Sequence, residues 1–114
     1  MTPHRSDITS PHALHLLPNH RRNHPSKIFY QDDNVIVFHD ITPKAPIHLL
    51  ICPKQHFTDF MSAPPEVRSQ LADTVQRISE MLGDRGKDFR IQINNGPGSG
   101  QIVFHLHYHF LGRG

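Results

Sequence analysis

The chain has 114 residues, a net charge of +2 with its eleven histidines neutral, 36% apolar and 19% charged residues, and a single cysteine. That length suits one domain with one hydrophobic core. A lone cysteine excludes an intrachain disulfide framework and fits a reducing compartment, no stretch nears the ~20 apolar residues of a membrane span, and the scattered Lys and Arg form no stripe for a nucleic-acid backbone. The expectation is a cytoplasmic protein with neither membrane nor nucleic-acid partners.

Residues 1–10 are polar and read as a disordered leader, ahead of a domain over 11–114. Ser10-Pro11 has the form of a helix start, which predicts a short helix over His12–Leu17, stopped near Pro18. Strands are expected at Lys27–Tyr30 and Val35–His39, joined by the turn-rich Gln31-Asp32-Asp33-Asn34. Asp40–Pro46, with Pro43 and Pro46, is a loop. Ile47–Cys52 is an apolar run that predicts a central strand buried on both faces.

Ser62-Ala63-Pro64-Pro65-Glu66 marks a second helix start. Val67, Leu71, Val75, Ile78 and Leu82 then recur at helical spacing up to a stop at Gly83. Phe89–Asn94 is a further strand, and Asn94–Gly100 a glycine-rich loop. The fold class is α+β: a mostly antiparallel sheet of about five strands with one long helix packed on it, plus the short N-terminal helix.

The last element, Phe104-His105-Leu106-His107-Tyr108-His109-Phe110-Leu111, alternates histidine with large apolar residues. On a β-strand His105, His107 and His109 would share one face, neighbours roughly 7 Å apart, with the apolar residues on the other. Imidazole titrates close to neutrality, so the row suits proton transfer, nucleophilic catalysis or metal ligation. Three readings stand side by side: a merely histidine-rich exposed strand, a zinc site, or a catalytic centre.

The run His105-Leu106-His107-Tyr108-His109-Phe110-Leu111 matches the histidine triad motif, and the chain resembles the histidine triad (HIT) superfamily, nearest its Hint-like branch. The resemblance extends upstream through Phe38-His39-Asp40-Ile41-Thr42-Pro43-Lys44-Ala45-Pro46-Ile47-His48 and Pro53-Lys54-Gln55-His56, and covers Lys27 to Leu111. It implies a hydrolase or transferase acting on nucleoside 5′-phosphoramidates or related nucleotidyl substrates through a nucleotidyl-histidine intermediate. His107 would be the nucleophile, its tautomer fixed by the His105 backbone carbonyl. His109 would be hydrogen-bond donor or proton source, and His48 would complete the network.

By the same resemblance Asp40 would hold the ribose, Phe38 and Ile41 the base, and Asn94, Gly100 and Gln101 the phosphate end of an AMP- or GMP-like purine nucleotide. A homodimer is implied, joined through the helix Glu66–Leu82 and the strand Phe89–Asn94. No cofactor is required. A structural zinc held by His12, His15 and His56 is disfavoured, because the thiolates that hold zinc in some relatives are absent. Ile102 stands where Hint-like sequences usually place a serine, and the chain stops at Gly114, soon after the triad. These departures motivate an alternative: a catalytically weak, purine-nucleotide-binding regulator.

Overall fold

A computed structural model describes residues 27–114. The leader, the helix expected at His12–Leu17 and the histidines at 12 and 15 lie outside the described residues. Five strands and one long helix follow: β1 (Ile28–Gln31), β2 (Val35–His39), β3 (Ile47–Pro53), α1 (Pro65–Leu82), β4 (Phe89–Gln92) and β5 (Tyr108–Gly112). The strands lie in the order β1-β2-β3-β5-β4, every neighbouring pair antiparallel. The chain leaves β3, crosses in α1 to lay down β4 at the far edge, and returns to fill the gap with β5. That return sets β5 against β3 and decides which histidines meet.

β3 is buried along its whole length, as its unbroken apolar run predicts. Ile47, Leu49 and Ile51 join Val35, Val37, Tyr108 and Phe110 in the main core. Val67, Leu71, Thr74 and Ile78 of α1 are buried, and Val67, Leu71 and Ile78 belong to the same core, so the apolar stripe of the helix faces its own sheet. Thr74 sits there at little cost, because its hydroxyl donates to the Gln70 carbonyl at 2.7 Å. Ile36, Phe38, Leu50 and Cys52 form a smaller cluster on the opposite face, with Val103 packed against it. Side chains alternate along a strand, so His48 and His109 belong to this second face.

The helix begins at Pro65, within the expected start segment Ser62–Glu66. Pro64 is extended (φ −73°, ψ 162°), since a residue before proline is pushed away from the helical region, whereas Pro65 suits the first turn. Ser62 instead closes a turn with Asp59, donating its N–H to the carboxylate at 2.9 Å. The helix ends at Gly83 with φ 64°, a left-handed angle that glycine adopts without penalty.

Two strand boundaries differ from expectation. β4 stops at Gln92, two residues short of Asn94. More consequential for the site, β5 starts only at Tyr108, and residues 104–107 pair with no neighbouring strand. They are pinned another way: the Leu106 N–H donates to the Phe57 carbonyl at 2.7 Å. Among the described residues, no helix is long and apolar enough to cross a membrane.

Candidate active site

His109 pairs with Leu50 and Leu111 pairs with His48, so the two histidines are diagonal neighbours across β3 and β5. Their rings touch: His48 Nε2 lies 3.0 Å from His109 Nδ1. His107, just before β5, stands nearly perpendicular to His109, with ring centroids 5.1 Å apart. The three rings line a pocket of about 280 Å³. Asp40, Thr42 and Lys44 from the β2–β3 loop form one wall, and Gln92, Asn94 and the segment from Gly100 to Ile102 another.

His105 does not share their face. Because the chain is off the ladder at 104–107, strict alternation fails there and the ring turns inward, fully buried. Its Nε2 donates to the Pro53 carbonyl at 3.0 Å, which leaves Nδ1 to accept from His56 Nδ1 at 2.8 Å. His105 serves the pocket through its backbone: its carbonyl accepts the Nδ1–H of His107 at 2.8 Å.

Hydrogen-bond partners fix the remaining protons. The Lys44 N–H donates to His48 Nδ1 at 3.1 Å, so His48 carries its proton on Nε2. That proton points to His109 Nδ1, with the Asp40 carboxylate 3.4 Å away as a second acceptor. His109 therefore holds its own proton on Nε2. His107, tied through Nδ1 to a carbonyl, keeps a lone pair on Nε2. Adjacent rings thus offer opposite things, a lone pair from His107 and an N–H from His109.

Burial lowers the pKa of all three rings. It outweighs the His105 carbonyl and Asp40 at His107, and it outweighs Asp40 at His48. At His109 burial is joined by repulsion from His107 and His48, which brings the ring down to about 4. All three are neutral at pH 7.

Asp40, His48 and His109 bring one potential ligand atom each to within 4.8 Å of one another. The donor set does not fit an ion. A metal-bound imidazole normally directs its remaining N–H outward to an acceptor, yet His48 Nδ1 receives an N–H from Lys44. Ligation would strip the proton from Nε2 and leave none on the ring. His56, named beside a zinc site at His12 and His15, shares a hydrogen bond with His105, and the other two histidines lie outside the described residues.

The other candidate residues divide. Asp40 turns one carboxylate oxygen to the Thr42 N–H and hydroxyl, at 2.9 and 3.2 Å, and the other toward His48. Phe38 is 3% exposed in the second cluster and Ile41 is 44% exposed, and neither lines the pocket. Asn94 donates to the Ser99 carbonyl at 2.7 Å, and Gly100 at φ 95° again needs the freedom of glycine. Gln101 staples the loop: its side chain accepts from the Gly96 N–H at 2.7 Å and donates to Thr58 and Val103 carbonyls at 2.8 and 3.1 Å. Gln101→Ala should lower unfolding free energy by about 1–3 kcal/mol in urea titrations. An unchanged midpoint would show that the staple carries no stability.

Ile102, 79% exposed, sits on the rim of the pocket. Lys44, Arg90 and Gln92 also line it and were missed as site residues. The signal for the latter two was available, since Ile91 packs against the core and alternation sends its neighbours to the histidine face.

Comparisons with known proteins place the chain in one family. The HIT domain family model matches residues 21–114. An uncharacterized HIT-like protein of Synechocystis sp. is 42% identical over 94 residues, which cover 81% of this chain and 82% of that protein. Of solved structures, a HIT family hydrolase from Clostridium thermocellum matches with a TM-score of 0.72 at 39% identity, over 81% of this chain and 83% of that one. A hypothetical histidine triad nucleotide-binding protein from Sulfolobus tokodaii matches with a TM-score of 0.73 at 29% identity, over 81% and 63% of the two chains.

Proposed function

The chain belongs to the HIT family, and on that footing we propose that it is a nucleotide-binding hydrolase that cleaves nucleoside 5′-phosphoramidates or related nucleotidyl substrates. One observation carries the reading: the ring of His107, with its lone pair on Nε2, stands beside that of His109, with its N–H, the first oriented by the His105 carbonyl and the second by hydrogen bonds that run from the Lys44 amide through His48. The names of the relatives from Clostridium thermocellum and Sulfolobus tokodaii, a hydrolase and a nucleotide-binding protein, support it.

His107 Nε2 attacks the α-phosphorus and the bond to the leaving group breaks. His109 donates to the phosphoryl oxygens, a preorganised donor inside a partly dried pocket. Water then opens the nucleotidyl-histidine and releases the nucleoside monophosphate. Asp40, through the oxygen it turns toward His48, is the acceptor for the ribose hydroxyls. Ile41 is the remaining apolar contact for a purine base. No metal takes part, and a homodimer joined through α1 and the edge strand β4 belongs to the same proposal. An adenosine 5′-phosphoramidate incubated with the protein should yield AMP; no release at any pH would end the reading.

The nucleophile must be neutral, and His107 is held below the ordinary imidazole range. Protonation therefore removes activity only at a pH below that of an unperturbed histidine. We expect kcat/KM to stay level from alkaline pH down past ~6.5 and to fall beneath it. An acid limb centred at or above ~6.5 would mean that a different, unperturbed group controls the reaction.

A further inference from the structure

A wider groove of about 620 Å³ adjoins the pocket, and Lys44, Arg90 and Leu111 line both spaces. The charge of this groove is one-sided: Lys44, Lys87, Arg90 and Arg113 line it against Asp88. Arg90 reaches this place because it pairs with Leu111 on the histidine face. Lys87 lies 3.5 Å from Asp84 with both side chains largely exposed, a contact weak enough for an anionic ligand to replace. Lys44 pushes down the pKa of both His48 and His109, so its field reaches the reacting centre.

Direction links groove to chemistry. Displacement at phosphorus keeps the attacking and leaving atoms roughly in line. Along the chain His107, His109 and Leu111 follow one another on one face, and all three line the pocket. A leaving group that departs away from His107 passes His109 and Leu111 and enters the groove.

We propose that this basic groove is the leaving-group subsite, and that it selects nucleotidyl substrates whose leaving group ends in an oxyanion. The proposal rests on the hydrolase reading and adds a substrate class to it. Four cations along one path favour phosphate or carboxylate tails, with the arginine forks matching either. The reaction balances with one water, whose oxygen ends on phosphorus and one of whose protons goes to the nitrogen that keeps the electron pair of the broken P–N bond.

The test uses three adenosine 5′-phosphoramidates with the same scissile bond and tails that differ in charge, made from 2-aminoethyl phosphate, ethanolamine and 1,3-diaminopropane. At low salt kcat/KM should be highest for the phosphate tail, by about tenfold over the neutral one, and lowest for the cationic tail. The advantage should shrink as salt is raised. In the double variant Lys87→Gln/Arg90→Gln the phosphate-to-neutral ratio should fall to within about twofold of unity. Both positions are exposed, so the fold should survive, and Arg113→Gln provides a second, independent variant. Equal rates on all three tails, or a ratio unmoved in the variants, overturns the subsite and leaves the hydrolase standing. Failure of the wild type to cleave any of them removes both.

Discussion

His107→Ala should cut kcat for an adenosine 5′-phosphoramidate by about 10⁴-fold or more, while the protein stays folded. The size follows from the protons. His109 accepts at Nδ1 from His48 and carries hydrogen on Nε2, and His48 takes the Lys44 amide on Nδ1, so neither ring has a spare lone pair to replace the nucleophile. The protein should stay folded at a cost of about 1–3 kcal/mol, because His107 is partly exposed and gives up a single hydrogen bond, to the His105 carbonyl. Rate measurements beside thermal melts check both halves. A variant with near wild-type kcat would place the nucleophile elsewhere. Micromolar binding of AMP by a wild type that never turns over would favour the regulator.

His105→Ala should show the reverse. Its ring is fully buried and bonded to both Pro53 and His56. Truncation leaves a cavity and removes the partner of a buried carbonyl, an expected loss of about 2–5 kcal/mol. For a domain whose whole margin is ~5–15 kcal/mol, that is a severe change. The carbonyl that holds His107 is backbone and survives, so kcat per folded molecule should drop by roughly tenfold at most, from looser positioning. Chemical denaturation and active-site titration separate the two effects. Should His105→Ala match His107→Ala in rate and spare stability, the ring itself takes part in the chemistry.

This contrast also marks how far the sequence could be read. Period-2 alternation from Phe104 to Leu111 carries a strand signal, and from Tyr108 onward it is right. Nothing in the pattern announces that the preceding residues are held by the Phe57 and Pro53 carbonyls instead of a strand ladder, since both partners are about fifty positions away. Phe38 is ambiguous for a related reason: a β2 residue on the histidine face is equally suited to a pocket or to the second cluster, and its packing with Leu50 is visible only in three dimensions. The continuous apolar run of β3, the stripe of α1 and the stop at Gly83 were legible because each is a local property of the chain. Gln101 lines the pocket and also closes its loop through its amide, a second role visible only in three dimensions.

β5 follows every other described strand in sequence and yet lies inside the sheet, between β3 and β4. A nascent or clipped molecule lacking residues beyond 106 would hold a three-stranded sheet, an unpaired β4 and one of the three pocket imidazoles. Long-range closure of this kind is slow compared with helix formation. Ripening of the fold and onset of turnover are therefore one event, and no half-built molecule can bind substrate and release it altered.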